Sequence, residues 1–350
     1  MTLKKQKILI TGGAGFIASN IADLYIEEGH EVVIVDNLST GERTNIPKKA
    51  VFYQEDICNL EKLEAIFKKE KPSLVNHHAA QIDVRTSISN PQKDAQINII
   101  GAINLLELAR KYAVSKLIYA GTGGALYGEL KNSVVENAGD SRAGCEGPLF
   151  GETHPKRLAG PAFSTTSFKG ELPDETSSVN PLSHYGVSKY CGEHYFRLYA
   201  VLYNLNVTIF RYANIYGPRQ NPMGEAGVIA IFINRLLSGK IPTIFGEGEQ
   251  ARDFTYVGDV ARANLMALDK GTGTTINIGT GEMTTINKLF EILKKETGFK
   301  GDVKHAPGRM GEIIKSGLDV TSSKKILGWS ANISLAEGLK KTIAWQQRQC

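Results

Sequence analysis

The chain has 350 residues, of which 42% are hydrophobic and 22% charged, and its formal net charge is +5. This composition is typical of a globular protein, and no apolar run approaches the roughly 18 residues of a membrane span, which argues against a transmembrane protein. The positive charge is modest and spread along the chain, so we expect no nucleic-acid partner.

The length allows two domains, or one large domain with an additional lobe. No apolar signal segment precedes the first predicted strand, so export is not expected. The four cysteines lie far apart and lack metal-ligand spacing: Cys58, Cys145, Cys191 and Cys350. We therefore expect a reduced, cytoplasmic setting and no metal ion.

The first predicted elements are a strand, a turn and a helix within residues 7–20, KILITGGAGFIASN. A short apolar run leads into a glycine-rich turn, after which apolar residues recur at helical spacing. Gly12 and Gly15 leave no side chain between the backbone and a pyrophosphate resting on the helix N-terminus. Asp36 closes the next apolar run, where a carboxylate accepts both hydroxyls of an adenosine ribose. Because that carboxylate would repel a 2′-phosphate, the pattern predicts NAD rather than NADP.

Strand and helix patterns then alternate, with further predicted strands at residues 51–53, 73–80 and 116–120. This alternation predicts an α/β fold of Rossmann type, in which a doubly wound parallel sheet carries helices on both faces. Ligands of such sheets bind at the carboxyl ends of strands. The residues at these ends include Gly12, Asp36, Ala79 and Thr122.

Two further features of this half have alternative interpretations. Asp56 and Ile57 follow the third strand and would flank an adenine, although an ordinary strand end explains them too. His77 and His78 would point to opposite faces of a regular strand, so we expect packed or capped histidines rather than a metal site.

The second half begins with a long helix predicted from residue 185 to about residue 204. Later strand and helix patterns near residues 206–217 and 255–270 are expected to return to the first domain. We predict an NAD-binding domain over residues 1–184 and mainly a smaller α+β substrate lobe over residues 185–350.

Residues 131–170 are the least patterned region, rich in Gly, Pro, Ser and Thr without a sustained period. A loop of this length is uncommon inside a compact domain. It is either a lid over the substrate pocket or a tolerated surface insertion, and its lack of aromatic residues and helix pattern favours the insertion.

Tyr185 and Lys189 stand four residues apart, so they share one face of the long helix. If both face a dinucleotide, the ammonium and the positive nicotinamide ring favour the tyrosinate. A unit charge at about 4 Å is worth about 4 kcal/mol at an effective dielectric of 20. Since one pKa unit is about 1.36 kcal/mol, we expect the pKa of Tyr185 to fall by some two to three units from about 10.

The chain resembles the extended short-chain dehydrogenase/reductase family, and within it the UDP-glucose 4-epimerase group, over nearly its whole length apart from residues 131–170. The resemblance rests on TGGAGFIASN, VVIVDNLSTG, GTGGALYG (121–128), NPLSHYGVSKYCGE, FRYANIYGPRQ, GEGEQARDFTYVGDVARA, GRMGE (308–312), Asp319 and LGW (327–329). It implies a tightly held NAD and interconversion of UDP-glucose and UDP-galactose by transient oxidation at C4. Tyr185 would take the proton from the sugar 4-hydroxyl, Lys189 would hold the nicotinamide ribose, and a Ser or Thr would share the 4-hydroxyl hydrogen bond.

By the same match, the UDP part would be held by Asn214, Arg219, Arg252 and Arg309, since forked Arg donors suit a diphosphate. A surface ion pair is the alternative for each Arg. Tyr212 would lie beside the nicotinamide, although an aromatic residue at a strand end is often core. The cofactor set that we predict comprises Gly12, Gly15, Phe16, Ile17, Asp36, Asn37, Asp56, Ile57, Ala79, Ala80, Gln81, Asn98, Tyr185, Lys189 and Tyr212.

The sequence departs from the family pattern at the active-site hydroxyl. Counting back from Tyr127, the usual Ser or Thr position is Gly123, while Thr122 is one residue earlier. Because successive strand residues face opposite ways, Thr122 serves only if the strand end is irregular. We predict Thr122, with Tyr185 and Lys189, as the catalytic residues.

Two other functions remain open. A 4,6-dehydratase or decarboxylase of the same family is disfavoured, because the dehydratases carry an acid pair where this chain has Gly123 and Gly124. A non-catalytic NAD-binding protein would explain the missing hydroxyl and the insertion. In the family, two long helices, here residues 95–112 and 185–203, commonly pair across a dimer axis, so the resemblance implies a homodimer.

Overall fold

The computed structural model describes residues 5–130, 171–223, 227–308 and 313–349. Its strands are β1 (Lys7–Thr11), β2 (Glu31–Val35), β3 (Val51–Tyr53), β4 (Leu74–His77), β5 (Lys116–Thr122), β6 (Val207–Tyr212), β7 (Asn214–Tyr216), β8 (Thr243–Phe245), β9 (Ala251–Arg252), β10 (Phe254–Tyr256), β11 (Thr274–Ile278), β12 (Thr284–Thr285), β13 (Lys304–Ala306) and β14 (Lys315–Ser316). Its α-helices are α1 (Phe16–Glu27), α2 (Leu60–Glu70), α3 (Val84–Ser89), α4 (Pro91–Ala95), α5 (Gly101–Lys111), α6 (His184–Tyr203), α7 (Val228–Leu237), α8 (Val257–Met266), α9 (Ile286–Thr297), α10 (Thr321–Leu327) and α11 (Leu335–Gln347). A 3₁₀ turn spans Arg43–Asn45 and a π-helical turn spans Gln96–Ile100. The segment 131–170, predicted as an insertion or lid, lies outside the described residues.

Within the described ranges, the main sheet has seven parallel strands in the order β11-β6-β5-β4-β1-β2-β3. The predicted Rossmann-type fold is confirmed. The chain moves outward from β1 through β2 and β3, then returns to place β4 on the other side of β1. That reversal opens a crevice at the carboxyl ends of the strands, which is where such sheets bind ligands.

The apolar run of β1 is continuous because helices cover both faces of the sheet. Ile8 and Ile10 pack with α1 and α8, whereas Leu9 packs with α2, α5 and α6. All three side chains are fully buried. The alternation of faces along each strand therefore builds two cores, one on either side of the sheet.

A third core lies in the later part of the chain, between α7, α9 and α11. Three small sheets accompany it, with strand orders β10-β7, β12-β9-β14 and β13-β8. β6 and β11 nevertheless belong to the main sheet, and α8 packs on α1. We keep the proposed division into a dinucleotide domain, joined by these later elements, and a substrate lobe.

The single helix predicted over residues 95–112 is interrupted. α4 ends at Ala95, the π-helical turn Gln96–Ile100 follows, and α5 runs only from Gly101 to Lys111. Single π-helical turns within helices are frequent at functional sites, because the wider turn re-aims a side chain. Here that side chain is Asn98, described below.

Candidate active site

The turn between β1 and α1 leaves no room for side chains. Gly12 has a φ of 71°, and a Cβ there would lie 2.7 Å from the backbone nitrogen of Ala79. A Cβ on Gly15 would lie 3.1 Å from the Gly12 carbonyl oxygen. α1 begins at Phe16 without a side-chain cap and without an acidic residue in its first turn. The amides of Phe16 and Ile17 therefore offer donors to an anion, so the turn fits the pyrophosphate of NAD.

A carboxylate lies just after β2. Asp36 is buried, its Oδ2 accepts a hydrogen bond from the backbone nitrogen of Ala14 at 2.9 Å, and its Oδ1 accepts one from Leu38 at 2.8 Å. Each carboxylate oxygen has a further lone pair, so ribose hydroxyls can also bind there. The negative charge suits NAD and opposes the extra phosphate of NADP.

Asn37 and Asp56 form the neighbouring edge of the cleft. The Asn37 amide donates to Asp56 Oδ2 at 2.8 Å, and the Cys58 backbone nitrogen donates to Oδ1 at 2.8 Å. Burial by itself would raise the pKa of Asp56, but these hydrogen bonds hold that pKa below its ordinary value. Ile57 is buried beside them against Gly101. The polar side chain of Asp56 and the apolar side chain of Ile57 thus lie next to each other where the sequence predicts the adenine.

The segment that follows β4 is fixed by Asn98 of the π-helical turn. The Gln81 backbone nitrogen donates to Asn98 Oδ1 at 2.8 Å, and Asn98 Nδ2 donates to the Gln81 carbonyl at 2.9 Å. The Ala79 nitrogen donates to Thr11 Oγ1 at 3.2 Å, which holds Ala79 and the adjoining Ala80 against the glycine turn. Asn98, predicted as a cofactor contact, is therefore already bonded to the backbone that borders the cleft.

Tyr212 ends β6 in a buried hydrogen-bond network. Its hydroxyl accepts from Asn264 Nδ2 at 2.9 Å and lies 3.1 Å from His78 Nε2, and its ring stacks on His78 with centroids 5.9 Å apart. Burial raises the pKa of Tyr212, so the phenol stays protonated. These contacts match the core alternative for Tyr212.

Tyr185 lies in the first turn of α6, which Ser183 caps by accepting a hydrogen bond from the Gly186 backbone nitrogen. Burial raises the pKa of Tyr185 to about 12, while hydrogen bonding to Thr122 lowers it and the charge of Asp94 raises it. The expected fall in this pKa applies to a site that also holds the dinucleotide, whereas in the polypeptide by itself the pKa is raised. Desolvation of the phenolate outweighs the hydrogen bond that favours it.

A side-chain hydrogen bond to Thr122 lowers the pKa of Tyr185, and Thr122 is the last residue of β5, paired in register with Tyr212 of β6. Gly123 and Gly124 both donate their backbone N–H to one carbonyl group of β6, at 2.7 and 3.3 Å. A Cβ on Gly123 would lie 2.6 Å from Leu318 Cδ1, so the end of the Leu318 side chain would have to shift to admit a side chain at the usual hydroxyl position. The structure thus brings Thr122, one residue earlier, to the tyrosine.

Lys189 is 4% exposed, one helical turn beyond Tyr185. Its Nζ lies 4.5 Å from the centroid of the Tyr119 ring, and the Tyr119 hydroxyl donates to the Lys189 carbonyl at 3.0 Å. Burial lowers the pKa of Lys189 to about 7, and the charge of Asp94 opposes that fall. Near neutral pH the lysine can therefore change its protonation state.

A buried ion pair, which the sequence analysis missed, anchors α6 to β6. Arg211 donates from Nε and Nη2 to the two carboxylate oxygens of Glu193, at 3.0 and 2.6 Å, and both side chains are almost fully buried. Arg211 Nη1 also donates to the Tyr127 hydroxyl at 2.7 Å. Such bidentate pairs fix geometry as well as charge. The available signal was a charged residue inside the apolar run of β6, because a buried charge needs a partner.

Two side chains converge on the end of β5 from the substrate lobe. A Cβ on Gly124 would lie 3.5 Å from Asn214 Oδ1 and 3.7 Å from Ser316 Oγ. The sequence predicts Asn214 as a substrate contact but not Ser316. β14, which carries Ser316, has only two residues, and a strand that short has no periodic pattern to detect.

The structure describes two of the three arginines that were predicted to contact the substrate. Arg252 of β9 donates from Nη1 to two carbonyl oxygens, one of them that of Ile314, at 3.0 and 3.1 Å. Arg219 forms an ion pair with Asp23 of α1 at 2.6 Å. This ion pair is the alternative given for Arg219, and its role as a diphosphate contact stays a prediction. Arg309 lies outside the described residues.

Neither a membrane span nor a metal cluster is found in the described ranges. None of the helices there is both long and apolar enough to cross a bilayer. In the same ranges, no three His, Cys, Asp or Glu side chains are grouped as metal ligands would be. His77 instead lies 2.8 Å from Thr11 Oγ1, and His78 contacts Tyr212, as expected for packed histidines.

Comparison with known proteins places this geometry in context. The sequence matches the NAD dependent epimerase/dehydratase family over residues 8–144 and 160–279. A putative UDP-glucose 4-epimerase of Methanocaldococcus jannaschii is 44% identical over 340 residues, which cover 97% of this chain and 98% of that protein. The structure of a Thermotoga maritima UDP-glucose 4-epimerase with UDP-glucose has a TM-score of 0.86 at 43% identity, covering 98% of this chain and 99% of that one. A Thermus thermophilus UDP-glucose 4-epimerase in complex with NAD has a TM-score of 0.83 at 36% identity, covering 97% and 99%.

Proposed function

The chain belongs to the NAD dependent epimerase/dehydratase family, and we propose that it is a 4-epimerase that interconverts UDP-glucose and UDP-galactose. The observation that carries this proposal is the contact of the Thr122 hydroxyl with the Tyr185 phenol, one helical turn from Lys189. Likeness over the full length to UDP-glucose 4-epimerases supports both the reaction and the nucleotide.

The residues present fit NAD as the resident cofactor. The Gly12 turn admits a close backbone approach, the N-terminus of α1 offers amide donors, and Asp36 suits an unphosphorylated ribose. When bound, NAD supplies a reversible hydride acceptor beside C4 of the sugar. Lys189 would hold the nicotinamide ribose from the catalytic helix.

Epimerisation at C4 requires that the sugar 4-hydroxyl lose its proton and later regain it. We assign both transfers to Tyr185, which would accept this proton and then return it. In the polypeptide by itself the phenol is protonated at neutral pH, since burial raises its pKa to about 12. Positive charge on Lys189 and on the oxidised cofactor lowers the cost of the tyrosinate. Thr122 would orient the sugar for this proton transfer by hydrogen bonding to the same 4-hydroxyl. Asn214 and Arg252 would hold the nucleotide diphosphate.

The two alternative functions have less support. Elimination of water in the related dehydratases needs an acid pair just after the active-site threonine, and here those positions are Gly123 and Gly124. A non-catalytic role was suggested by the missing hydroxyl at position 123, but the contact of Thr122 with Tyr185 supplies that hydroxyl.

Product analysis tests the proposal directly. The purified protein is incubated with UDP-glucose or with UDP-galactose, without added NAD. The nucleotide sugars are then separated by chromatography, and their molecular masses are measured by mass spectrometry. We expect each sugar to yield the same equilibrium mixture with no change of mass. Loss of water or carbon dioxide from the product would favour the dehydratase or decarboxylase, and no conversion by NAD-loaded chain would refute catalysis on these sugars. N-acetylated and uronic forms assayed in parallel define the preferred sugar.

We also infer a homodimer formed through α6. This helix exposes Val187, Leu198, Val201 and Leu202, and Val201 is 82% exposed. Apolar side chains grouped on one helix face are typical of a surface covered by a second copy. The mass in solution, measured by light scattering, should be twice that of the chain, and a monomer at micromolar concentration would contradict the inference.

A further inference from the structure

Lys189 places an ammonium group where water hardly reaches. Its side chain is almost fully buried, with Nζ over the Tyr119 ring. A buried cation is costly unless the protein either neutralises it or supplies an opposite charge. Burial does lower the pKa of Lys189 to about 7, and the group that works against this fall is Asp94.

Asp94 is itself buried, at 1% exposure, in α4, which packs against α6. Its Oδ1 accepts hydrogen bonds from Ser87 Oγ at 2.6 Å and from Asn98 Nδ2 at 3.2 Å. Asn98 Nδ2 also donates to Ser188 Oγ at 3.0 Å, and Ser188 directly precedes Lys189. The carboxylate is therefore tied to the lysine's own turn of α6 by neutral donors that do not compensate its charge.

The other titratable groups around this turn come from β4 and the residue after it, from β5 and from α6, namely His77, His78, Tyr119, Tyr185, Cys191 and Glu193. Burial raises the pKa of the Cys191 thiol. Burial lowers the pKa of both histidines and raises the pKa of both tyrosines, so all four are neutral near pH 7. Glu193 is engaged by Arg211 and Arg197. Among the described residues this leaves Asp94 as the carboxylate available to Lys189.

We propose that Asp94 is a positioning residue that keeps Lys189 charged and directed at the cofactor site. It acts through the lysine and touches neither sugar nor cofactor. The inference rests on the proposed function in one respect, because a charged Lys189 matters there for the tyrosinate at Tyr185. Asp94 also disfavours that tyrosinate directly, so the lysine itself has to be measured.

The Asp94→Asn variant keeps the shape of the side chain and removes its charge. We expect the titration midpoint of Lys189 to fall by at least about one pH unit, a tenfold change in proton affinity. The midpoint is followed by NMR of carbon-13-labelled lysine in the full chain, with and without NAD, and Lys189→Met assigns the signal. As a matched control, Asp83→Asn removes a neighbouring carboxylate but retains a good cap for α3, and should leave the midpoint unchanged.

Two further readouts separate a charge effect from a structural one. The activity of Asp94→Asn should decline toward alkaline pH about one unit earlier than that of the unaltered chain, with KM for the sugar nucleotide unchanged. In a Lys189→Arg background, where the guanidinium stays charged, Asp94→Asn should not move the pH profile.

Each outcome bears on one proposal. If Asp94→Asn leaves the Lys189 midpoint where it was, the inference is refuted while the epimerase assignment stands. If the midpoint moves in a chain that converts no UDP-sugar, the inference stands and the proposed function fails. Should the variant not fold, the unaltered chain still provides a test, since a Lys189 midpoint more than one unit below 7 would show that Asp94 does not hold the charge.

Discussion

The dinucleotide side and the catalytic side of the crevice are lined by different chemical groups. At Gly12 and Gly15 the surface is bare backbone, and an added Cβ would lie 2.7 to 3.1 Å from neighbouring atoms. At the half-buried Tyr185 and the buried Lys189 it consists of titratable side chains with pKa values of about 12 and about 7. The first region selects its ligand by steric fit. The second controls proton transfer through the free-energy cost of charging a buried group.

This difference determines how each region responds to change. A steric region tolerates any alteration that leaves its backbone free, and fails when one atom is added. An electrostatic region keeps its shape under conservative substitution but loses function when a proton or charge is misplaced, since desolvation magnifies each interaction. Substitutions in the two regions should therefore separate NAD binding from turnover.

Tyr185→Phe has the largest expected effect and tests the electrostatic side. It removes the group that carries the proton, so kcat should fall by about 10²- to 10⁴-fold. The content of bound NAD and the thermal midpoint should stay the same, because the ring remains. Tyr190→Phe, five residues further along α6, serves as the control and should retain activity within about twofold. If Tyr185→Phe lost its NAD, the catalytic side would also be acting by shape.

Glu193→Gln tests the support of the catalytic helix. It leaves Arg211 buried without its partner, so the free energy of unfolding should fall by about 3–5 kcal/mol. Glu337→Gln breaks an exposed pair with Lys341, in which the side chains are about half exposed, and should cost less than about 1 kcal/mol. Denaturant titration measures both. Equal losses would mean that the buried pair contributes no more than a surface one.

The steric side could be predicted from sequence because its determinants are local. The glycine turn and the carboxylate of Asp36 are both contained in short segments, and so is the four-residue spacing of Tyr185 and Lys189 on the catalytic side. Each residue type there is selected by a backbone angle, a close approach or a helical period, and these need no knowledge of distant contacts. The sheet followed in the same way from the alternation of strands and helices.

The pKa values and long-range contacts of the electrostatic side could not be predicted, because burial is set by elements that are far apart in the chain. The charges considered from the sequence lower the pKa of Tyr185, but the desolvation that raises it in the polypeptide by itself depends on the packing of the whole fold. Ser316 reaches the end of β5 across nearly two hundred positions of sequence, a convergence that no spacing rule contains. The ion pair between Arg219 and Asp23 of α1 likewise joins residues that are far apart in the sequence.

Gly12→Ala, compared with Gly29→Ala, isolates shape from backbone strain. Both glycines have positive φ angles, 71° and 87°, so an Ala at either site should cost about 1–2 kcal/mol of stability. A Cβ at Gly29 meets no atom within 4 Å, whereas one at Gly12 would lie 2.7 Å from the Ala79 nitrogen. Beyond the shared cost of the backbone angle, we expect Gly12→Ala to lose more stability than Gly29→Ala and to be the one variant of the two that loses bound NAD, measured as dinucleotide content after gel filtration. Equal loss of NAD in Gly29→Ala would mean that general destabilisation, and not the bare backbone beside Ala79, governs how this side of the crevice holds its ligand.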